Sequence, residues 1–377
     1  MYKFVAVLGP TASGKSALAP ALAERVGGEI VACDSQQVYL GMDIGTAKPT
    51  RAERARVPHH ALDLVRPDEP FHAARWAAVA RGAIEEISAR GRLPIVVGGT
   101  GLYYRALTGG LFEAPPPDPA IRARHRALAA ADGVPALHAR LAAVDPEAAA
   151  VIGPNDLVRT SRALEIYEQT GVAITALRRR ASPRVDLAPT VLLLDPPLAT
   201  LRARIAARVA EMVAAGFLDE VRALRAAGYG PALKPLQALG YKQLGAVLDG
   251  AMPLPDAVAE TVRATAAYAR RQRTWFRKEK ADRRFDGVPD LEAALAAVTG
   301  RRDGAGAARA GRRPPAACSA QSPPARSRRR SCSTMRRPWA SSTSARCSRG
   351  TCWSRREATS RRSPSCRPPS WRRSSAP

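Results

Sequence analysis

The sequence predicts an α/β fold, in which helices flank a parallel sheet. Two observations lead to this prediction. In the first part of the chain, continuous apolar runs rich in β-branched residues alternate with runs of helical apolar spacing, which is typical of a parallel sheet. In addition, GPTASGKS (9–16) reads G-x-x-x-x-G-K-[ST] and stands between the first such strand and the first helix. The predicted fold is therefore P-loop NTPase-like.

The elements of residues 1–113 follow from the apolar pattern and from glycine stops. Strands are predicted where apolar residues run continuously. Helices are predicted where apolar residues recur at helical spacing and then stop, as at Gly27-Gly28. In chain order the predicted elements are strand 3–9, helix 16–27, strand 29–34, a weaker strand 59–65, helix 71–91 and strand 93–101, which runs into a glycine turn.

The pattern changes at APPPDP (114–119), whose prolines are typical of a linker. From there to Arg180 the chain is Arg-rich and helical in pattern, so residues 114–187 are interpreted as an inserted helical subdomain. Residues 188–300 are predicted to complete the core. The elements predicted there are strand 190–195, helices 198–227, 236–249 and 255–280, and a short helix ending near 299.

Residues 301–377 differ sharply in composition. They hold 20 Arg, no Lys and two acidic residues, which accounts for +18 of the chain's net charge of +26. They lack Leu, Ile, Val, Phe and Tyr, so this low-complexity tail cannot bury an apolar core and is predicted to be disordered. Two origins stay open for it, a basic arm that binds RNA or a GC-rich gene read out of frame.

No pattern in the sequence marks export, a membrane or a metal cluster. The apolar run at the N-terminus stops at Gly9-Pro10, and no stretch approaches the length that spans a bilayer. Cys33 is the single cysteine of residues 1–300, which suits a reducing cytosol. The histidines lack metal-ligand spacing and are interpreted as structural or surface residues. We therefore expect a cytoplasmic protein. Independently of these signals, we expect a monomer.

The glycine loop has the residue types that bind phosphate. Its two glycines permit a tight backbone, and the amides that follow are expected to point at phosphate oxygens from a helix N-terminus. The lysine supplies a positive charge, and the last serine hydroxyl suits a Mg²⁺ ligand. The predicted diphosphate- or nucleotide-binding residues are Gly9, Pro10, Thr11, Ala12, Ser13, Gly14, Lys15 and Ser16, with Ser16 as the metal ligand.

Two polar residues follow predicted strands at the edge of the sheet where ligands bind. Asp34 ends the second strand, where its carboxylate can accept a proton or bond to an amine, although a turn or capping role is an equal alternative. Thr100 follows the third strand and can orient a substrate or close a turn. The strand that ends at Asp195 is similar to a Mg²⁺-holding strand of NTPases, but is interpreted as an ordinary buried strand.

A basic stretch with aromatic residues, YARRQRTWFRKEK, occupies 268–280. Arginine and lysine bind phosphate backbones, whereas aromatic residues stack bases or anchor a helix. We expect Trp275 and Phe276 to pack inward and the arginines to face RNA.

Seven stretches, all in the same order, resemble the bacterial tRNA dimethylallyltransferases, also called isopentenyl-diphosphate:tRNA transferases. The resemblance covers roughly residues 1–300 and leaves the tail outside, which favours its out-of-frame origin. DSQQVY, GMDIGTAKP and RQRTWFRK are the most specific parts. The stretches are GPTASGKS (9–16), DSQQVYLGMDIGTAKP (34–49), VVGGTGLYYRAL (96–107), PNDLVRTSRALEIYEQTG (154–171), MVAAGFLDEVRAL (212–224), LGYKQL (239–244) and RRQRTWFRK (270–278).

This resemblance implies a prenyl transfer. The dimethylallyl group of dimethylallyl diphosphate would pass to N6 of the adenosine at tRNA position 37, beside the anticodon, and diphosphate would leave. The glycine loop would then hold a leaving diphosphate instead of ATP, with Mg²⁺ as cofactor. Asp34 matches the family's N6-contacting base, Thr100 its hydroxyl partner and Arg208 its diphosphate-contacting arginine. These three are the implied catalytic residues.

The resemblance also implies that the helical subdomain 114–187 binds tRNA, and it implies which residues contact the tRNA anticodon stem-loop. GYK stands where some members have GYR, and the Cys/His finger of eukaryotic members is missing from the sequence, which implies the bacterial architecture. The implied contacts are Asp34, Ser35, Gln36, Gln37, Thr100, Arg122, Val158, Arg159, Thr160, Ser161, Arg162, Gln237, Ala238, Leu239, Gly240, Tyr241 and Lys242.

Two other functions agree with the loop taken by itself. A small-molecule or nucleotide kinase would use the same loop and Asp34, but has no need of a basic RNA face. An RNA-binding NTPase would turn over ATP and use Asp195 for Mg²⁺. The family stretches favour the prenyltransferase.

Overall fold

The computed structural model describes residues 1–110, 112, 114–180 and 186–300. At its centre is a six-stranded sheet in which each adjacent pair of strands is parallel, which confirms the predicted fold class. The strands are β1 (Tyr2–Leu8), β2 (Gly28–Cys33), β3 (His59–His60), β4 (Leu93–Gly98), β5 (Leu187–Leu194) and β6 (Arg283–Phe285), in the order β3-β2-β4-β1-β5-β6 across the sheet.

Helices cover both faces of the sheet. They are α1 (Lys15–Val26), α2 (Arg51–Arg56), α3 (Ala73–Ala89), α4 (Gly101–Gly109), α5 (Pro119–Asp132), α6 (Val134–Val144), α7 (Pro146–Val151), α8 (Leu157–Thr170), α9 (Ile174–Arg180), α10 (Leu198–Ala214), α11 (Phe217–Ala226), α12 (Tyr241–Leu248), α13 (Leu254–Phe276) and α14 (Leu291–Thr299). A 3₁₀ turn, Pro235–Gln237, precedes α12.

The central strand β1 shows how the two cores arise. Its side chains alternate between the faces, so Val5 and Val7 belong to the core under α1 and α14. Phe4 and Leu8 belong to the opposite core, which contains Trp76 of α3. Because both faces are covered, the strand is apolar along nearly its whole length, which is the signal that the sequence carried.

Helices α5 to α9 share an apolar cluster of their own, which includes Leu137, Leu141 and Leu164. No sheet strand falls within this segment in the residues that the structure describes. The helical content agrees with the expectation for residues 114–187. Its boundaries as a subdomain, and those of 1–113 and 188–300, stay predictions.

Several elements differ from the predicted ones, each for a local reason. The weak strand 59–65 is only two residues long, because Ala61 and Asp63 adopt left-handed φ angles of 62° and 53°. The predicted helix 198–227 is two helices, because Gly216 has a φ of 96°. Strand β6 was missed because its sequence, Arg-Arg-Phe, has no apolar run. Helices α2 and α4 were also missed, and residues 236–249 hold a 3₁₀ turn and a shorter helix.

None of the helices among the described residues is long and apolar enough to cross a bilayer. The prediction of a disordered tail concerns residues 301–377, which lie outside the described residues.

Candidate active site

The glycine loop connects the end of β1 to α1, as predicted. Gly9 and Gly14 have φ angles of 153° and 97°, and Gly14 is the N-cap of α1. Ala12 also has a positive φ, of 61°, so the loop contains a non-glycine residue in the left-handed region. The Ser13 N–H donates to the Pro10 carbonyl at 3.3 Å, whereas the N–H groups at the very start of α1 have no carbonyl of a preceding helical turn to bond, which suits a bound anion.

The lysine of the loop lies inside it. Lys15 is buried, and its Nζ donates to the carbonyl oxygens of Gly9, at 2.8 Å, and Pro10, at 2.6 Å, and to Ser13 Oγ at 3.2 Å. Burial lowers the pKa of Lys15 to about 7, helped by the nearby charge of Arg208 and opposed by Asp34. A diphosphate in the loop would supply the anionic partner that this lysine lacks.

Asp34 follows β2 and is held by its own loop. Its Oδ1 accepts from the backbone N–H of Gln36, at 2.8 Å, and of Gln37, at 3.4 Å. This is the turn role that the sequence left open. The residue nevertheless borders the same cavity as the glycine loop, so its carboxylate also faces the space next to Lys15. The structure therefore combines the two alternatives.

Thr100 lies beside this loop and outside the lining of the cavities. Its Oγ1 accepts from the backbone N–H of Ser35 at 3.2 Å, and its own N–H donates to the Cys33 carbonyl at 3.3 Å. The hydroxyl thus joins the turn after β4 to the turn after β2. A direct contact between Thr100 and a substrate stays a prediction. In the structure, the Thr100 side chain stabilises the loop that contains Asp34.

Arginines from α10 approach the glycine loop from the other side. Arg208 Nη1 lies 3.4 Å from Thr11 Oγ1, and burial lowers the pKa of this guanidinium. Arg204 lies 3.4 Å from the Ser13 carbonyl. The cavity that these residues enclose has a volume of about 550 Å³ and contains Asp34, Lys15 and Arg208 in its lining. Basic side chains from the glycine loop and α10 and the carboxylate of Asp34 therefore line one space.

A second cavity, of about 340 Å³, adjoins the first and shares Thr11, Asp34, Arg208 and Tyr268 with it. Burial raises the pKa of Tyr268 to about 12, so its phenol stays neutral. The far wall of this cavity is more apolar. It includes Ile205, Val209, Met212, Phe217 and Leu239.

The loop between Asp43 and Gly45 reaches the second cavity at Gly45 and is fixed by a carboxylate that sequence reasoning missed. Glu220 accepts from three backbone N–H groups in a row, those of Asp43, Ile44 and Gly45, at 2.8, 2.6 and 3.1 Å. The Tyr241 hydroxyl donates to the same carboxylate at 2.6 Å. The stretch FLDEV gave no signal for this role, because the partners are backbone amides more than 170 residues away.

The glutamine of RQRTWFRK was also missed. The Gln272 side chain accepts from the Thr11 N–H at 2.8 Å and donates to the Gly99 carbonyl at 2.8 Å. In the same stretch Phe276 is buried and Trp275 is partly buried, as expected, and Arg270 and Arg277 are exposed. Arg273 differs from the expectation, because its side chain is largely buried. Asp195, the alternative Mg²⁺ residue, is in an ion pair with Arg273.

The expected tRNA residues fall into three groups. Ser35, Gln36, Gln237, Ala238 and Leu239 line the second cavity next to Asp34. Val158 is 79% exposed, and Arg159 is exposed beside it. Gln37 lines the first cavity, but its amide nitrogen donates to the carbonyls of Thr46 and Ala47, at 3.1 Å each.

For the remaining residues contact with tRNA stays a prediction, and most of them have partners within the protein. Thr160 is buried, and Tyr241 is buried at the lining of the second cavity. Arg122 and Arg162 bond to the buried Glu165. Ser161 Oγ is 3.0 Å from His125 Nδ1, Gly240 is a buried N-cap with a φ of 86°, and Lys242 is exposed.

Glu165 explains why those arginines point inward. Burial by itself raises the pKa of this carboxyl, but bonds from Arg122, Arg162 and the Asp118 N–H outweigh burial and lower it. A buried carboxylate requires such partners. The two arginines therefore hold the helical segment together, whatever else they contact.

Comparison with known proteins gives the family. A family model described as IPP transferase matches residues 37–279, and one described as Isopentenyl transferase matches residues 2–61. The chain belongs to the IPP transferase family. Among its relatives, a protein named tRNA dimethylallyltransferase from Anaeromyxobacter dehalogenans (strain 2CP-C) is 57% identical over 280 residues, which covers 74% of this chain and 93% of the relative. One from Myxococcus xanthus (strain DK1622) is 50% identical over 274 residues, covering 72% and 89%.

Solved structures of the IPP transferase family have the same fold. A tRNA isopentenylpyrophosphate transferase from Bacillus halodurans has 39% identity and a TM-score of 0.56, over 79% of this chain and 95% of that one. A eukaryotic dimethylallyltransferase described as acting on tRNA has 28% identity and a TM-score of 0.61, over 73% and 70% of the two chains. The resemblance expected from the sequence is confirmed.

Proposed function

We propose that this enzyme transfers the dimethylallyl group of dimethylallyl diphosphate to N6 of the adenosine at tRNA position 37. The products are diphosphate and N6-dimethylallyladenosine. The observation that carries the proposal is the shared space between the glycine loop and Asp34, which continues into the second cavity. Family membership narrows the choice of chemistry, because the curated relatives carry the name tRNA dimethylallyltransferase.

The first requirement of the reaction is to stabilise the leaving group. The allylic C–O bond breaks as negative charge grows on the diphosphate. Loop amides, Lys15 and Arg208 are placed around the space where that charge would develop. Groups held in advance at such a position lower the barrier most, because they need no rearrangement during the reaction.

The second requirement is to orient a weak nucleophile. Adenine N6 carries two protons and loses one when the new C–N bond forms. Asp34 accepts from two backbone amides through Oδ1 alone, so its other oxygen can accept from N6. Asp34 would then orient the amine and accept its proton. The alternative is that Asp34 orients the amine without accepting the proton. Thr100 keeps the Asp34 loop in place through Ser35.

Mg²⁺ is proposed as the cofactor. The Ser16 hydroxyl, exposed at the start of α1, is a donor of the kind that Mg²⁺ accepts alongside water and diphosphate oxygens. No cluster of three or more His, Cys, Asp or Glu side chains suited to a metal occurs in the described part of the chain, so the ion would depend on its substrate for ligands. When bound, the ion would neutralise charge on the departing diphosphate.

The target base must leave the anticodon-loop stack to reach Asp34. We propose that it enters through the second cavity, where Ser35, Gln36 and Leu239 form the lining. The tRNA would lie across exposed basic residues, including Arg159, Lys242 and Arg270. Because tRNA is the proposed substrate, we place the reaction in the cytoplasm, carried out by a monomer.

The test is an incubation of the enzyme with Mg²⁺, labelled dimethylallyl diphosphate and unmodified bacterial tRNA. The RNA is then digested and its nucleosides separated. A parallel reaction contains labelled ATP. We expect label in N6-dimethylallyladenosine and intact ATP. Phosphate released from ATP, without label in the nucleoside, would favour a kinase or an NTPase instead.

A further inference from the structure

One buried side chain joins the glycine loop to the turn after β4. Gln272 is 7% exposed. Its Oε1 accepts from the Thr11 N–H, and its Nε2 donates to the Gly99 carbonyl, both at 2.8 Å. Thr11 is 261 residues away along the chain and Gly99 is 173 residues away. A single amide thus spans the ends of β1 and β4, which are neighbours in the sheet.

The two bonds act on the segments that carry the reaction. Thr11 begins the part of the loop that contains Lys15, and Gly99 precedes Thr100, which holds the Asp34 loop. There is no room for a side chain at Gly99, since a Cβ there would lie 2.4 Å from Gln272 Nε2. Because the Thr11 N–H already donates to Gln272, only the later amides of the loop can donate to a diphosphate.

Gln272 belongs to α13, which also forms the basic surface. Its sequence neighbours Arg270 and Arg271 are exposed, whereas Gln272 points into the protein. Ala269 of the same helix packs against Leu201 and Ile205 of α10, the helix that carries Arg208. The glutamine is therefore rigidly supported from its own helix.

We propose that Gln272 is a positioning residue, which sets the distance between the leaving-group site in the glycine loop and the proton-accepting site at Asp34. This inference rests on the proposed function, because it assigns two reacting groups to those two sites. A misplacement of about 1 Å between reacting groups can cost about 100-fold in rate. The side chain touches neither group and acts through the loop and the turn.

The first test replaces the amide with an apolar side chain of similar length, in the full chain. Gln272→Met leaves the Thr11 N–H and the Gly99 carbonyl without partners. We expect kcat to fall about 100-fold at a temperature where both proteins are fully folded, while the KM for tRNA stays close to wild type. The unfolding midpoint should fall, because two backbone groups lose their partners, but not by enough to unfold the protein at the assay temperature. The matched control is Gln169→Leu, which removes the bond from a glutamine amide to the Pro116 carbonyl far from the loop.

A second variant separates positioning from packing. In Gln272→Glu the carboxyl group, when protonated, can accept from Thr11 and donate to Gly99 as the amide does. When ionised, it cannot donate to Gly99. Burial raises the pKa of a carboxyl group. The charged or titratable groups that line the same cavity are Lys15, Asp34, Lys48, Glu53, His59, Arg204, Arg208, Glu211 and Tyr268. We expect the ratio of its kcat to that of wild type to rise as the pH falls from 8 to 6.

The outcomes distinguish this inference from the proposed function. Wild-type enzyme that fails to modify tRNA contradicts the function itself. Active wild type with equally active Gln272→Met overturns the inference and leaves the function intact. A loss in Gln272→Met that follows only a lower unfolding midpoint, or a flat pH ratio for Gln272→Glu, assigns the residue to packing and also overturns it.

Discussion

Binding of a diphosphate should draw a proton from solution onto Lys15. The lysine is enclosed by the carbonyls of Gly9 and Pro10, and burial lowers its pKa to about 7 from the ordinary 10.5. A bound diphosphate adds negative charge beside it, which favours the ammonium form. The free enzyme above pH 7 therefore has to take up a proton before it binds the anion, whereas below pH 7 the lysine already carries it.

The magnitude follows from the two protonation states. At pH 8 about a tenth of Lys15 is charged in the free enzyme, so binding should take up about 0.9 proton, compared with about 0.1 at pH 6. Each pH unit above 7 costs about 1.4 kcal/mol of binding free energy. The Kd for dimethylallyl diphosphate should therefore rise about 50-fold between pH 7 and pH 9. Tyr268 does not contribute, because its pKa is raised to about 12.

Isothermal titration calorimetry measures both quantities. The binding heat is recorded at pH 8 in two buffers with different ionisation enthalpies, and the difference gives the proton uptake. Lys15→Arg is the matched control, since an arginine stays charged throughout this range and should remove the pH slope. Uptake close to zero at pH 8 in wild type, or an equal slope in both proteins, would refute the reasoning.

Four further predictions concern the site and the chain around it. Asp34→Asn keeps the turn but loses the proton acceptor, so single-turnover kcat should fall about 10²–10⁴-fold with diphosphate affinity unchanged; a change in affinity alone would contradict the role. Gly45→Ala places a Cβ 2.1 Å from Phe217 Cε2, and urea unfolding should show a loss of about 1–3 kcal/mol. Ala12→Gly relieves a positive φ, so the free energy of unfolding should rise by about 0.5–1 kcal/mol, and a decrease would mean the loop is unstrained. Deletion of 301–377 should leave kcat/KM for tRNA nearly unchanged, and a salt-sensitive loss would support the basic-arm alternative.

The parts of this site that are local in sequence could be predicted. The stretch GPTASGKS predicts a phosphate-binding loop, because its glycines and lysine are contiguous with the flanking strand and helix. Asp34 could be placed at the sheet edge because it ends an apolar run, and parallel strands present their carboxyl ends together. The strands themselves were visible because burial on both faces makes them continuously apolar.

Long-range polar contacts could not be predicted, because they produce no periodic pattern in the sequence. The resemblance implied RNA contacts for Arg122 and Arg162, but nothing in the sequence showed that both arginines also bond to a buried carboxylate, Glu165. Nothing in the composition of α8 tells an arginine that faces solvent from one that neutralises a buried charge. Strand β6 was not predicted for a related reason. Its arginines are exposed, and only pairing with β5 makes it a strand.

By itself, the sequence determined the fold class, the phosphate loop and the family, all of which depend on residues close together in the chain. Only the tertiary structure decided how these parts are held. Glu220 reaches amides more than 170 residues away, and Gln272 joins two strand ends through one side chain. Every residue carries backbone groups of this kind, so the sequence does not show which of them a given side chain will bond to. The folded geometry decides the partner.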